Sequence, residues 1–204
     1  PVNNAEFLPG AFFDLRIEVQ ADALPEDFAV SINGQDASEF FGAEAVEESW
    51  QLGEESPVTV SAATWRGVTL PEAGDYMVSV MADTAETSVA WSVYEPQEAV
   101  AQNVILFIAD GMTIPEITAA RVATFGIDGG KVNGEFAIDS FEEIGLVHTN
   151  SVDSMMMDSA NTASAMNTGH KGSVNATGIY ADSSPDVLDD PRVETLAEIL
   201  RRTT

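Results

Sequence analysis

Between positions 12 and 94 the chain alternates apolar and polar residues in short runs broken by turn formers, the pattern of antiparallel strands with one buried face. Phe13-Asp14-Leu15-Arg16-Ile17-Glu18-Val19 is the clearest run. Ala29-Val30-Ser31-Ile32 leads into Asn33-Gly34, two residues that tolerate positive φ, and so predicts a tight hairpin. Val58-Thr59-Val60-Ser61 and Tyr76-Met77-Val78-Ser79-Val80 flank a stretch containing Pro71-Glu72-Ala73-Gly74-Asp75, and the run from Ser88 to Tyr94 closes the series. Together they predict a small all-β sandwich over residues 1–96. Trp50, Trp65 and Trp91 are expected to pack in the core or between sheets rather than to form a sugar platform.

Glu95-Pro96-Gln97-Glu98 reads as a linker, and after it the period changes. Asn103-Val104-Ile105-Leu106-Phe107-Ile108-Ala109 is continuously apolar and rich in β-branched residues, as in a parallel strand buried on both faces. It ends at Asp110-Gly111, and a helix is expected from Pro115 to Ala123, with Pro in its first turn and Gly126 after its end. Ile144 to His148 is a short strand candidate, Ser159 to Asn167 a helix ending at Gly169, and Val193 to Arg202 a last helix with Leu196, Ile199 and Leu200 on one face. Residues 97–204 therefore predict an α/β domain with a central, mostly parallel sheet.

The charge balance narrows the partners. Eight Lys and Arg against 34 Asp and Glu give a formal net charge of −26, which argues against nucleic acid and anionic membranes. A solvated carboxylate surface of this kind suits high salt, where a Debye length of about 3 Å screens self-repulsion. A salt-adapted organism is the expectation. No apolar run approaches the roughly 20 residues of a spanning helix. The chain has no cysteine, so any metal site must use carboxylates, imidazoles, hydroxyls or water, and His148 and His170 are the only imidazoles.

Two acidic positions and one serine stand out. Asp110 follows an expected buried strand, where open α/β folds assemble ligand sites, though an acid there can equally cap the next helix. Asp158-Ser159-Ala160 opens a helix of small residues, which either sets the Ser159 hydroxyl at an anion-attracting N-terminus or uses these residues only as the helix cap. With no histidine base in evidence, a serine nucleophile would need metal activation. Met155-Met156-Met157 is expected to pack beneath this loop.

The run Asn103 to Met112, followed by Ile117-Thr118-Ala119-Ala120-Arg121, resembles the first motif of alkaline phosphatases. Asp158-Ser159-Ala160-Asn161-Thr162-Ala163-Ser164-Ala165, with Thr168-Gly169-His170-Lys171 after it, resembles their nucleophile motif, and Pro191 to Ile199 is similar to the helix that follows. Pro71-x-x-Gly74-x-Tyr76 is similar to strand entries of immunoglobulin-like modules. The resemblance implies a secreted or periplasmic enzyme that hydrolyses phosphate monoesters through a phosphoserine on Ser159, with two zinc ions and one magnesium. Asp110 would bridge a zinc and the magnesium, Ser159 would also bind zinc, and Asp158 would order the serine and position a phosphate-binding arginine. His148 and His170 fall outside the family's ligand positions and are expected to be structural or exposed. Ala109 and Thr113-Ile114-Pro115 depart from the usual motif without removing a ligand. The remaining ligands would lie beyond Thr204, on a complementary C-terminal segment or chain, and a homodimer is compatible with the family. Two other readings stay open: a binding module in which the β-domain does the work, and a related phosphodiesterase or sulfatase.

Overall fold

The computed structural model describes residues 1–203, and only Thr204, the last residue of the expected second domain, lies outside them. The described residues form two compact units, one made of Pro1–Glu98 together with the segment from Thr149 onward, the other of Ala99–His148.

In the first unit, strands β1 (Ala5–Phe7), β2 (Phe12–Val19), β3 (Ala29–Ile32) and β4 (Gln35–Asp36) precede a short helix, α1 (Ala37–Phe41); β5 (Val46–Leu52), β6 (Val58–Thr69), β7 (Gly74–Ala82) and β8 (Ala85–Val93) follow. They make a five-stranded sheet in the order β1-β8-β7-β3-β4 and a three-stranded sheet in the order β2-β6-β5. The Asn33-Gly34 turn has both φ values positive, at 50° and 83°, and joins β3 to β4 as a tight hairpin. The first sheet is mixed, because β1 runs parallel to β8 while its other pairs are antiparallel. The sandwich also carries α1, capped by the Asp36 side chain, which the strand pattern did not foretell.

Apolar positions from both sheets meet in one core. Phe7 lies 4.7 Å from Phe13 and 5.5 Å from Trp91, ring centre to ring centre, and Ile32, Trp65, Leu70 and Val78 fill in around them. Trp65 and Trp91 are core residues as expected. Trp50 sits outside that core: its indole N–H donates to the Ser183 carbonyl at 2.9 Å, and Arg16 stacks 4.9 Å from its ring centre.

The same unit contains helices α3 (Ser159–Thr168) and α4 (Leu196–Thr203), so the β-sandwich is packed against later chain. Residues 192–194 run along β2. Asp14 N–H donates to the Arg192 carbonyl and Glu194 N–H to the Phe12 carbonyl, each at 2.8 Å. In turn, 178–180 runs along 191–193, with Tyr180 N–H donating to Pro191 at 2.8 Å and Val193 N–H to Gly178 at 2.9 Å. The ladder thus continues from β2 outward. Because 192–194 is used this way, α4 starts at Leu196 rather than Val193, and a Thr195/Glu198 capping box closes its start.

Two buried charges stitch this junction. Asp14 sits where the β2–β6 register shifts and accepts from Gly67 N–H at 2.7 Å, Arg192 N–H at 3.0 Å and the Arg66 guanidinium at 3.0 Å. Gly67 has φ 59°, a conformation that lets its N–H reach back to Asp14 without a Cβ penalty. Arg16, its side chain 2% exposed, lies 3.1 to 3.4 Å from carboxylate oxygens of Glu18, Glu48, Asp182 and Asp189.

In the second unit, α2 (Ile114–Phe125) ends at Gly126, and β9 (Ile127–Asp128) pairs with β10 (Lys131–Val132) across Gly129-Gly130. Phe125 packs on Phe136, and Arg121 pairs with Asp139. The helix matches expectation, but the flanking strands do not form. Residues 103–109 and 144–148 are exposed and carry no strand; Phe107 is 89% and Ile144 98% exposed. A strand exists only through hydrogen-bonded neighbours, and among the described residues nothing pairs with either run.

Candidate functional site

Ser159 is the first residue of α3 and is exposed, and Asp158 is the helix N-cap in extended backbone. Asp158 Oδ1 accepts from the N–H groups of Ala160 at 2.7 Å and Asn161 at 2.9 Å, and its Oδ2 accepts from Asn175 N–H. These donors, Asn161 and Asn175 foremost, hold the Asp158 carboxyl below the usual carboxylate range. Two N–H groups of the first turn, expected to be free for an anion, are therefore engaged by the cap itself. What remains for a negative ligand is the helix dipole and the space around Ser159.

The cap is built from three separated pieces of chain. Asp153 accepts from the Ser151 hydroxyl at 2.7 Å and from Val174 N–H at 3.2 Å, tying the loop before Ser159 to the loop that supplies Asn175. Its carboxyl is likewise lowered, chiefly by Ser151. Small side chains make the helix, and Gly169, with φ 78°, ends it. On the buried face, Ser164 Oγ accepts from Gly178 N–H at 2.9 Å, and His170 Nδ1 lies 2.6 Å from Tyr180 Oη. Burial pushes the His170 imidazole down to about 4 and raises the Tyr180 phenol. Asn175 and Tyr180 carry no motif signal, and Ser164, although inside the motif run, is marked for no role by it; only their contacts reveal what they do.

Asp110 belongs to the second unit, at an exposed turn closed by Met112 N–H donating to the Ala109 carbonyl at 3.2 Å. It does not cap α2, because Thr113 occupies the N-cap position. Among the described residues no three His, Asp or Glu side chains converge as a cation site requires, so these residues alone do not make up a metal centre. His148 and Lys171 are exposed, and His170 is buried. Met155 and Met156 are also exposed rather than packed under the loop, since no described residue covers them. No helix among the described residues is long and apolar enough to cross a membrane.

Comparison with known proteins bears on both halves. The alkaline phosphatase family model matches residues 101–202, and the model for a PhoA-like N-terminal domain matches residues 1–94. Over 102 residues the chain is 32% identical to an alkaline phosphatase of Gadus morhua, covering 50% of this chain and 21% of that protein. It is 32% identical over 105 residues to the tissue-nonspecific isozyme of Gallus gallus, covering 50% of this chain and 20% of the relative. For alkaline phosphatase 4 of Drosophila melanogaster the identity is 34% over 100 residues, covering 48% and 17%. The chain spans about a fifth of the length of these relatives. With the family model extending across both the Asp110 turn and the Asp158-Ser159 helix start, the chain belongs to the alkaline phosphatase family.

Proposed function

We propose that the protein hydrolyses phosphate monoesters through a phosphoserine formed on Ser159. The observation that carries this reading is an exposed serine at the first position of α3, ordered by a cap that is itself held from three sides. In the first displacement Ser159 Oγ bonds to phosphorus and the ester P–O bond breaks, releasing the alcohol. In the second, water bonds to phosphorus and the P–Oγ bond breaks, releasing phosphate and restoring the hydroxyl. Asp158, its carboxylate already committed to backbone N–H groups, is too weak a base to take the serine proton and acts by ordering the turn.

The reading includes two zinc ions and one magnesium, with Asp110 and the Ser159 hydroxyl as this chain's oxygen donors and the remaining ligands on a further catalytic segment. Such ions supply Lewis acidity toward phosphoryl and hydroxyl oxygens. The exposed runs 103–109 and 144–148 support the further segment, because uncharged strand-forming runs call for covering strands. A salt-adapted bacterium fits the acid excess, and a secreted or periplasmic setting is what the family resemblance implies.

Turnover of p-nitrophenyl phosphate by the complete protein at alkaline pH, with and without zinc, magnesium and chelator, tests the reading. Ser159→Ala should lower kcat by about a thousandfold or more, as expected for removal of a nucleophile. Phosphate-ester turnover that survives Ser159→Ala would sink the proposal, and preferential turnover of a p-nitrophenyl diester or sulfate would move it to the related chemistries.

A further inference from the structure

Three hydrogen bonds tie α3 to one neighbouring stretch of chain. At the helix start, Asn175 N–H donates to Asp158; at its middle, Gly178 N–H donates to Ser164 Oγ at 2.9 Å; just past its end, His170 Nδ1 and Tyr180 Oη are 2.6 Å apart. Asn175, Gly178 and Tyr180 follow the same direction as Asp158, Ser164 and His170. The stretch 175–180 therefore lies along the whole helix as a splint, over roughly 15 Å of axis.

The splint is itself suspended from the β-sandwich. Its residues 178–180 pair with 191–193, and 192–194 pair with β2, where Asp14 holds the Arg192 N–H. Phe7 of β1 closes the far end of the helix, its ring edge-on to His170 at 4.6 Å between centres. Ser164 and His170 are 3% and 4% exposed, so these bonds are shielded from competing water. A helix of ten residues is marginal alone and takes its direction from such anchors.

We propose that this splint, hung from the β-sandwich, sets the direction in which α3 presents Ser159, so that Ser164, His170 and Tyr180 are positioning residues for the nucleophile. The functional half of the inference rests on the reading of Ser159 as nucleophile, and the mechanical half rests on the hydrogen bonds alone. Tilting a short helix about one lost anchor moves its two ends in opposite senses. A displacement of about 1 Å at a nucleophile is enough to cost about 100-fold in rate.

The test uses the complete, metal-loaded protein with Tyr180→Phe, which removes only a hydroxyl, His170→Leu, and His170→Asn, which places an amide atom near the position of Nδ1. Ser164→Ala serves as a further mild variant should His170→Leu fail to fold. Two readouts are taken: kcat and KM for p-nitrophenyl phosphate, and hydrogen exchange of the α3 amides with β6 amides as the internal reference. Tyr180→Phe and His170→Leu should lower kcat up to about 100-fold with KM within about twofold. They should speed α3 exchange about tenfold while β6 is unchanged, and His170→Asn should recover most of both effects. Unchanged α3 exchange, or loosened α3 with unchanged kcat, overturns the inference. If the wild-type protein turned over no phosphomonoester, the proposed function would fail separately. The exchange data would then still decide the splint, with loss confined to α3 supporting it and no loss overturning it.

Discussion

His170 shows how much a single buried ring can commit a protein. Its pKa is pushed down to about 4 by burial, against 6.5 for a free imidazole, so the folded state holds it neutral across the whole neutral range. The unfolded chain takes up a proton on this ring as pH falls through about 6.5, while the folded chain does not until about 4. The stability contributed by the neutral ring is therefore fully present above about pH 6.5 and drains away down to about pH 4, a loss of about 3 kcal/mol. Urea unfolding at intervals between pH 4 and 8 should show this slope, and His170→Asn should flatten it; an equal slope in the variant would refute the assignment. The Asp158 and Asp153 carboxyls, held low, act in a lower window, since the stability they contribute is present above the usual carboxylate pKa and lost as pH falls beneath it. Ser159 and its cap were readable from residues alone because capping is local: an acid, a small-residue run and a terminal glycine lie within twelve positions. His170 was readable only as structural or exposed, because Phe7, which packs on it, is 163 positions away in the chain.

Strand β2 shows where pattern reading succeeds and where it stops. Its apolar positions Phe13 and Leu15 face the core as the alternation requires. The intervening Asp14 and Arg16, which would ordinarily mark a solvent face, are buried beneath residues 182–194. Alternation tells which face is apolar, not what lies over the polar one. Asp14→Ala would remove a buried carboxylate that accepts from two backbone N–H groups and the partly exposed Arg66 guanidinium, and should cost about 1–3 kcal/mol by urea unfolding. A loss below about 1 kcal/mol would show that the carboxylate is not the clip described. The run 103–109 is the opposite case: β-branched composition predicts a strand, but composition cannot supply the neighbouring strands that make one.

Over the molecule as a whole, a formal charge of −26 dominates everything a screened ion can reach. Self-repulsion of that size should weaken as the Debye length falls from about 10 Å at 0.1 M salt to about 3 Å at 1 M. The melting temperature should climb strongly with NaCl over that range, and a flat response would remove salt adaptation from the account. The Arg16 guanidinium among four carboxylates is the local form of the same imbalance, with cation and acids drawn from both the sandwich and the loop 182–189. The ladder from β2 through 192–194 carries a consequence for anyone recombining such proteins. The family models meet between residues 94 and 101, yet the border is not a seam in the fold, because β2 and Arg192 are stitched across it. Treated as a cassette and transplanted with a cut at that border, the sandwich would arrive with Asp14 short of its Arg192 donor and Arg16 short of two of its four carboxylates, Asp182 and Asp189, and both would face a foreign loop.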